Sequence, residues 1–226
     1  MKTKNAWLIP GLFFLAAALA NLCGKLMGNE MLAAAAKPAL LPLIALTTLA
    51  AVGNMDSKMT RLLVTAQLLG CTGDILLLFS GFLPFVGGMA AFLAGHICYI
   101  TLFGGQSWKG FSAKIWIPAL LVMAAIVAAL ITVIGVEGDL LVPMIIYGFT
   151  LMMLIFSGLC GGVRFGTAAW WLILCGTVLF TFSDALIAVD TFSESPIGWI
   201  PFGIMFTYIL AQALLATGSV KLIGGR

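Results

Sequence analysis

Long apolar runs, broken at intervals by charged or Gly/Pro-rich positions, make up most of the chain. A transmembrane helix needs about 20 mostly apolar residues, and the breaks divide the sequence into eight runs of about that length. Only Ser80, Gly81 and Phe82 separate the third run from the fourth, and Pro84 favours a tight turn there. The pattern predicts eight membrane-spanning helices, at approximately Ala6–Cys23, Met31–Val52, Leu62–Phe79, Leu83–Phe103, Ile115–Ile134, Leu140–Leu159, Thr167–Val189 and Ile197–Leu222.

Composition makes the bilayer the solvent for this fold. Of the 226 residues, 62% are hydrophobic and only 8% are charged, too few to give a water-soluble domain a solvated surface. No charge-rich, Ser-rich or Pro-rich stretch longer than about a dozen residues interrupts the apolar runs. We therefore expect an all-α, polytopic helical bundle that forms one integral-membrane domain over residues 1–226.

Basic residues are distributed unevenly between the two sides of the predicted membrane. If the N-terminus is cytoplasmic, Lys25 is the one basic residue in an outer segment, which by the positive-inside rule places both termini in the cytoplasm. The alternative for the first run is a signal peptide cleaved after Ala18 or Ala20, which would leave seven spans. The way the charges are distributed along the chain, which gives a net charge of +3, indicates membrane topology and does not indicate a nucleic-acid partner. The inner segments hold Lys2, Lys4, Lys58, Arg61, Lys109, Lys114, Arg164, Lys221 and Arg226.

A short motif occurs in both the third and the seventh run, which cross in the same direction. Gly73-Asp74-Ile75-Leu76 and Ser183-Asp184-Ala185-Leu186 share the order small, Asp, apolar, apolar. On a helix each aspartate ends a narrow polar stripe, from Gln67 in the third run and from Thr177 in the seventh. The match predicts two four-helix halves related by an axis along the membrane normal, with chance similarity of apolar sequence as the alternative.

Four ionisable residues lie within the predicted spans: Lys37, Asp74, His96 and Asp184. Such a side chain in hydrocarbon costs a few kcal/mol, so it faces protein, a partner or water and indicates function. By the helical rise per residue, Lys37 and both aspartates reach one layer in the outer half. The structural alternative is a Lys–Asp ion pair that fixes packing, but two carboxylates and one amine would leave a net buried charge.

A metal site is not indicated by these residues. His96 is the one histidine, and the five cysteines show no CxxC spacing, whereas zinc sites usually need three or four His, Cys, Asp or Glu ligands. We predict no cofactor, and a metal-dependent hydrolase remains an alternative. From these residues alone, an ion-coupled transporter and an intramembrane enzyme explain the polar set equally well.

The polar motifs resemble those of the YhhN-type lysoplasmalogenase family of eight-span membrane proteins. The resemblance covers nearly the whole chain. The order and spacing of the motifs match, and so does the number of spans. It is carried by Lys37-Pro38 with Leu40-Leu41-Pro42, Gly73-Asp74, Gly95-His96 with Tyr99-Ile100, and Gly176 with Phe180 and Ser183-Asp184.

The resemblance implies a hydrolase that cleaves the vinyl ether bond of a lysoplasmalogen to a fatty aldehyde and glycerophosphoethanolamine or glycerophosphocholine. Two carboxylates in one low-dielectric site cannot easily both ionise, so one can donate a proton while the other is charged. We expect catalysis by Asp74, Asp184 and His96. We expect substrate contacts from Lys37, Tyr99, Tyr147, Ser183 and Tyr208.

The partners implied are a lysophospholipid substrate and membrane lipids. The expected location is the cytoplasmic membrane of a bacterium. A homo-oligomer is compatible with these expectations. A proton-coupled carrier or flippase of a lipid-like solute is the alternative from another class, and it would use the same aspartates as a proton relay. A small-molecule sensor or scaffold is the third interpretation.

Overall fold

The computed structural model describes residues 5–53, 55–193 and 197–225, and these residues form eight long α-helices. A short 3-10 helix, Gly138–Leu140, precedes the sixth. The predicted all-α polytopic bundle is confirmed. The helices are α1 Leu8–Leu26, α2 Glu30–Val52, α3 Lys58–Leu76, α4 Phe82–Ser107, α5 Ala113–Ile134, α6 Leu141–Phe165, α7 Ala168–Phe192 and α8 Ile200–Gly224.

Among the described residues, seven helices are long and apolar enough to cross a membrane, and α3 is the helix that falls short. Polar side chains of α3 face the interior of the bundle, where Gln67 and Asp74 are buried. Its 19 residues span about 28 Å, close to the thickness of the hydrocarbon core. We therefore treat α3 as a crossing helix whose polar groups are covered by protein.

We call the outer end of the bundle the one at which α1 joins α2, α3 joins α4, α5 joins α6 and α7 joins α8. The sequence predicts that this end faces away from the cytoplasm, and the membrane orientation stays a prediction. Three of the basic residues in the predicted charge bias lie outside the described residues: Lys2, Lys4 and Arg226.

Several helices end later than predicted, and α4 and α6 differ most. Helix α4 continues past Phe103, and α6 continues past Leu159 through the pair Gly161–Gly162. The glycines do not end α6 because they make room for α7: a Cβ on Gly161 would lie 1.9 Å from the Trp170 ring. The glycine pair is thus a packing site within a helix.

The centre of the bundle is built on close helix crossings. Helix α3 packs along α4, and α7 along α8, while α6 contacts α4 and α2 contacts α8. A Cβ on Gly95 would lie 3.1 Å from the carbonyl oxygen of Ala66, and one on Gly176 would lie 3.2 Å from that of Ala211. Small residues therefore let these backbones approach closely, as is common in membrane bundles.

Helix α2 carries two internal prolines next to Lys37. Pro42 has no N–H, so the carbonyl oxygen of Pro38 loses the helical partner it would otherwise have. The Cys71 thiol of α3 donates to that oxygen at 3.6 Å. A donor on α3, the helix that carries Asp74, thus supplies a partner for the carbonyl oxygen that Pro42 leaves without one.

Helix α1 is a packed member of the bundle. It runs along α2, and the buried Asn21 side chain donates to the carbonyl oxygen of Ala33 at 2.8 Å. Helix α5 is peripheral by contrast, and packs mainly on α6. The bundle therefore has a tight centre and a loosely attached fifth helix.

Candidate functional site

Asp74 of α3 is the centre of a buried polar cluster. The Tyr208 hydroxyl of α8 donates to Asp74 Oδ2 at 2.7 Å, and Lys37 Nζ of α2 lies 3.4 Å from Asp74 Oδ1. Asp74 is 2% exposed, whereas 16% of the Lys37 side chain is accessible. The cation and the hydroxyl donor partly compensate the buried carboxyl group for its lost hydration.

Asp184 of α7 has a different set of neighbours. The Tyr147 hydroxyl of α6 donates to Asp184 Oδ2 at 2.5 Å, and His96 Nε2 of α4 lies 3.9 Å from the same oxygen. The His96 distance exceeds that of a hydrogen bond. Asp184 therefore has one strong neutral donor and a more distant imidazole, without the lysine that Asp74 has.

His96 has unmet hydrogen-bonding capacity inside the bundle. It is 1% exposed, and neither ring nitrogen has a hydrogen-bond partner among the described residues. The ring packs edge-on against Tyr147 and Phe180, with centroids 5.5 and 4.7 Å away. A buried polar group without a partner is costly and requires an explanation. A bound water or a substrate oxygen would supply the missing partner.

Aromatic rings connect the two carboxylate clusters. The Phe180 ring contacts His96 on one side and Tyr208 on the other, where the centroids are 5.5 Å apart. The Phe92 ring packs edge-on against both Phe180 and Tyr208. A Cβ on Gly73 would lie 2.7 Å from the Phe92 ring, so the glycine before Asp74 is needed for this arrangement.

The two clusters occupy equivalent places in the two halves of the chain. Lys37 lies 37 positions before Asp74, and Tyr147 lies the same number of positions before Asp184. The first half comprises α1 to α4 and the second half comprises α5 to α8. Each aspartate has one neighbour from the second helix of its own half, which is α2 or α6. Its other neighbour comes from the last helix of the opposite half. Asp74 accepts from the α8 tyrosine, and Asp184 faces the α4 histidine.

A second set of contacts has the same relation. Gln67 Nε2 donates to Thr48 Oγ1 at 3.1 Å across 19 positions. In the second half, a Cβ on Gly158 would lie 3.1 Å from Thr177 Oγ1, with the same separation along the chain. Both contact sets support the predicted repeat of two four-helix halves.

Two cavities flank the clusters. The first is a narrow apolar groove of about 80 Å³ between α4, α5, α6 and α7, and both Asp184 and Tyr147 line it. The second is a polar cavity of about 880 Å³ at the outer end, which Lys37 lines together with Lys25 and Asp190. The two cavities share three lining residues and so adjoin each other: Leu77, Phe85 and Ile187.

Two other predicted substrate contacts have partners of their own. The Tyr99 hydroxyl donates to Gln212 Oε1 at 3.2 Å, and the Ser183 hydroxyl donates to the carbonyl oxygen of Ile204 at 3.0 Å. Both residues are buried, and Tyr99 stacks on Phe103. These contacts tie α4 and α7 to neighbouring helices, and a substrate contact from either residue stays a prediction.

The structure thus brings together six of the predicted residues around the rings of Phe92 and Phe180. Sequence reasoning did not select Phe92, although it lies four positions before His96 on the same helical face. Among the described residues, no three His, Cys, Asp or Glu side chains are grouped to hold a metal ion. The six predicted residues are Lys37, Asp74, His96, Tyr147, Asp184 and Tyr208.

Comparison with known proteins gives a family for this arrangement. The chain is 29% identical to human lysoplasmalogenase TMEM86B over 218 residues, which are 95% of this chain and 87% of the human protein. It is 28% identical to a lysoplasmalogenase of Mycobacterium bovis over 205 residues, 86% of this chain and 72% of that protein. It is 31% identical to mouse lysoplasmalogenase TMEM86B over 168 residues, 72% of this chain and 65% of that protein.

No solved structure matches the chain. A family model does: the YhhN family model matches residues 32–219, from the start of α2 nearly to the end of α8. The match includes both aspartates, the lysine and the histidine of the two clusters. Because it extends over most of the chain, and as the sequence motifs indicated, this protein belongs to the YhhN family.

Proposed function

We propose that this membrane protein hydrolyses the vinyl ether bond of lysoplasmalogens, giving a fatty aldehyde and a glycerophosphoethanolamine or glycerophosphocholine. The observation that carries the proposal is a buried carboxyl group, Asp184, in the wall of an apolar groove that adjoins a polar cavity lined by Lys37. A single-chain amphiphile has the shape and polarity for such a pair of cavities. The relatives named lysoplasmalogenase support the same reaction.

The reaction requires a proton donor and a water molecule. Protonation of the alkene carbon remote from the ether oxygen gives an oxocarbenium ion. Water adds to this ion, and the resulting hemiacetal collapses to the aldehyde and the glycerol hydroxyl. The protein must therefore supply an acid, stabilise a positive intermediate and hold one water.

Asp184 is the proton donor in this proposal. It is buried, and its neutral neighbours would leave a carboxylate poorly compensated, which favours the protonated form. Because His96 has no partner at either nitrogen, a charged imidazolium at 3.9 Å would be costly as well. After donating its proton to carbon, Asp184 becomes an anion beside the oxocarbenium ion, and the Tyr147 hydroxyl stabilises that charge.

Asp74 is the ionised partner. The ion pair with Lys37 and the hydrogen bond from Tyr208 stabilise a negative charge on Asp74. This charge lies across the aromatic rings from Asp184, and its electrostatic potential stabilises the positive oxocarbenium ion. Lys37 also reaches the polar cavity, and there its ammonium group meets the substrate phosphate. One lysine therefore links head-group binding to the charge state of the acid pair.

His96 holds the attacking water. A ring nitrogen accepts a hydrogen bond from the water and takes its proton as the carbon–oxygen bond forms. As the hemiacetal collapses, the imidazolium gives this proton to the departing glycerol oxygen, and the hemiacetal hydroxyl returns a proton to Asp184. Atoms and protons balance over the cycle, which consumes one water.

The carrier interpretation would use the same aspartates as a proton relay, but the named relatives favour the hydrolase. In the part of the chain that the structure describes, seven helices are apolar enough to cross a membrane, which supports an integral membrane protein. We further propose the cytoplasmic membrane of a bacterium as its location, supported by the mycobacterial relative and by the bias of basic residues.

Aldehyde release from purified protein in detergent tests the proposal. Lysoplasmenylethanolamine is the substrate, and the lysophospholipid with an ester in place of the vinyl ether is the substrate control. We expect Asp184→Asn to lower kcat by about 10² to 10⁴, as loss of a general acid does. Asp139→Asn, at an exposed acid before α6, should leave kcat unchanged.

Thermal unfolding of each variant separates lost chemistry from lost folding. If folded wild-type protein binds the lipid and releases no aldehyde, the hydrolase proposal is wrong and the carrier gains support. If folded Asp184→Asn retains near-normal kcat, the assignment of the proton donor is wrong while the hydrolase stands.

A further inference from the structure

The apolar groove beside Asp184 has the properties of a site for a hydrocarbon chain. Its walls are aliphatic or aromatic apart from Thr181, Tyr147 and Asp184. Along α6 it runs from Met144 to Met152, which is about 12 Å at the helical rise per residue. A few polar groups placed in a mostly apolar cleft are typical of ligand sites. Here the polar groups are those of the proposed acid.

The groove meets the polar cavity at its outer end. Residues shared by the two cavities, such as Leu77 and Phe85, form this junction, and the polar cavity beyond it carries both cations and anions. Lys37 and Lys25 supply the positive charges, Glu30 and Asp190 supply the negative ones, and Lys25 is paired with Glu30 at 2.6 Å. A molecule with a zwitterionic head and one apolar chain can therefore span both cavities, with its polar–apolar boundary near Asp184.

The groove faces the surrounding lipid along part of α4 and α5. In the described part of the chain, α5 packs on α6 and to a small extent on α7, and it contacts the end of α4 through the Trp108 and Trp116 rings, whose centroids are 5.2 Å apart. Away from that contact the α4 and α5 backbones do not approach each other closely, and the groove lies between them. A membrane-dissolved chain can enter sideways without leaving the hydrocarbon region.

Gly148 lies halfway along the groove on α6 and faces α5. A Cβ placed there would be 3.4 Å from Val127 Cγ1, which is an ordinary van der Waals contact. A methyl group therefore fits at this position, and because Gly148 lines the groove, a larger side chain there would occupy part of it. Val127 is buried, lies against Gly148 and lines the groove beside it.

The geometry points to the groove as the site of the alkenyl chain, with Gly148 and Val127 determining how long a chain is accepted beyond the vinyl ether. This inference rests on the proposed function, because it identifies the groove's occupant as the substrate of that reaction. It assigns substrate selectivity to two residues that take no part in proton transfer.

The test is a chain-length profile of kcat/KM for lysoplasmenylethanolamines with short, medium and long alkenyl chains. We expect Gly148→Leu to lower kcat/KM for the long chain about tenfold relative to the short one, since one excluded methylene is worth about that factor. Val127→Ala should shift the profile toward longer chains. Gly148→Ala should change little, because the methyl group fits.

Gly162→Ala is the matched control. Gly162 is also on α6, and a Cβ there would lie 3.5 Å from the Trp171 ring, outside the groove. Its chain-length profile should equal that of the wild type. A Gly148→Leu protein that loses activity equally for all lengths, or for none, would overturn the inference, as would an unchanged profile for Val127→Ala.

A binding measurement keeps the inference separate from the proposed reaction. Saturated ether lysophospholipids have no vinyl group and so cannot undergo the reaction. They should raise the Tm of the wild type more strongly as the chain lengthens, and Gly148→Leu should reduce this dependence. If wild-type protein releases no aldehyde but shows the length-dependent Tm shift, the hydrolase fails and the groove assignment stands. Equal Tm shifts for all lengths would refute the groove.

Discussion

The ion pair between Lys37 and Asp74 gives the most demanding test of the site's electrostatics. Lys37 Nζ and Asp74 Oδ1 are 3.4 Å apart, and only a small part of either side chain is accessible. With an effective dielectric constant of about 20, Coulomb's law gives roughly 5 kcal/mol of attraction at this distance. The desolvation of both charges offsets part of this attraction.

Replacing one partner leaves the other buried charge uncompensated. We expect Lys37→Met to lower the free energy of unfolding by about 3 kcal/mol, at the low end for breaking a buried pair. Asp74→Asn should cost less, because an amide oxygen still accepts from Tyr208. The double variant removes both charges, so its loss should be smaller than the sum of the two by at least about 1.5 kcal/mol.

Unfolding in mixed detergent, followed by tryptophan fluorescence, measures these free energies. Lys25→Met is the control, because Lys25 pairs with the exposed Glu30 at 2.6 Å and an exposed pair contributes about 1 kcal/mol or less. Strictly additive losses for the Lys37 and Asp74 variants would refute the ion pair. A control loss as large as that of Lys37→Met would show that the assay measures general charge effects.

Further predictions concern the residues around the acids. Tyr147→Phe should lower kcat about tenfold with little change in Tm, because Asp184 loses its donor while the ring remains; an unchanged kcat would contradict this role. Gly73→Ala should lower stability by about 1 to 3 kcal/mol through overpacking against Phe92, and Phe92→Leu should restore part of it in a Tm measurement. Tyr99→Phe should cost about 1 kcal/mol of stability and leave kcat unchanged; reduced kcat would indicate a substrate contact.

The helices were predictable from sequence because the bilayer imposes a simple rule on length and polarity. Runs such as Ile115–Ile134 contain no charged residue, and the break at Gly81 is a positive-φ glycine that precedes α4. The end of α6 was harder, because glycine next to Trp170 serves packing instead of ending the helix. Local sequence does not distinguish these two uses of glycine.

The acids were predictable for a related reason: a charged residue in an apolar helix is rare and costly. Their partners were not predictable from spacing. Tyr208 reaches Asp74 from 134 positions away, and which helices adjoin depends on packing that hydrophobic periodicity does not describe. The aromatic contacts of Phe92 and the groove beside Asp184 also arise only when four helices meet.

In the proposed mechanism, the repeat accounts for two carboxyl groups with different roles. The two halves place an aspartate at equivalent positions, and the residue 37 positions earlier differs: a lysine in the first half and a tyrosine in the second. The lysine compensates a negative charge, whereas the tyrosine supplies only a neutral donor. This single difference between the halves is what would separate the ionised carboxylate of the proposal from its protonated acid, as vinyl ether hydrolysis requires.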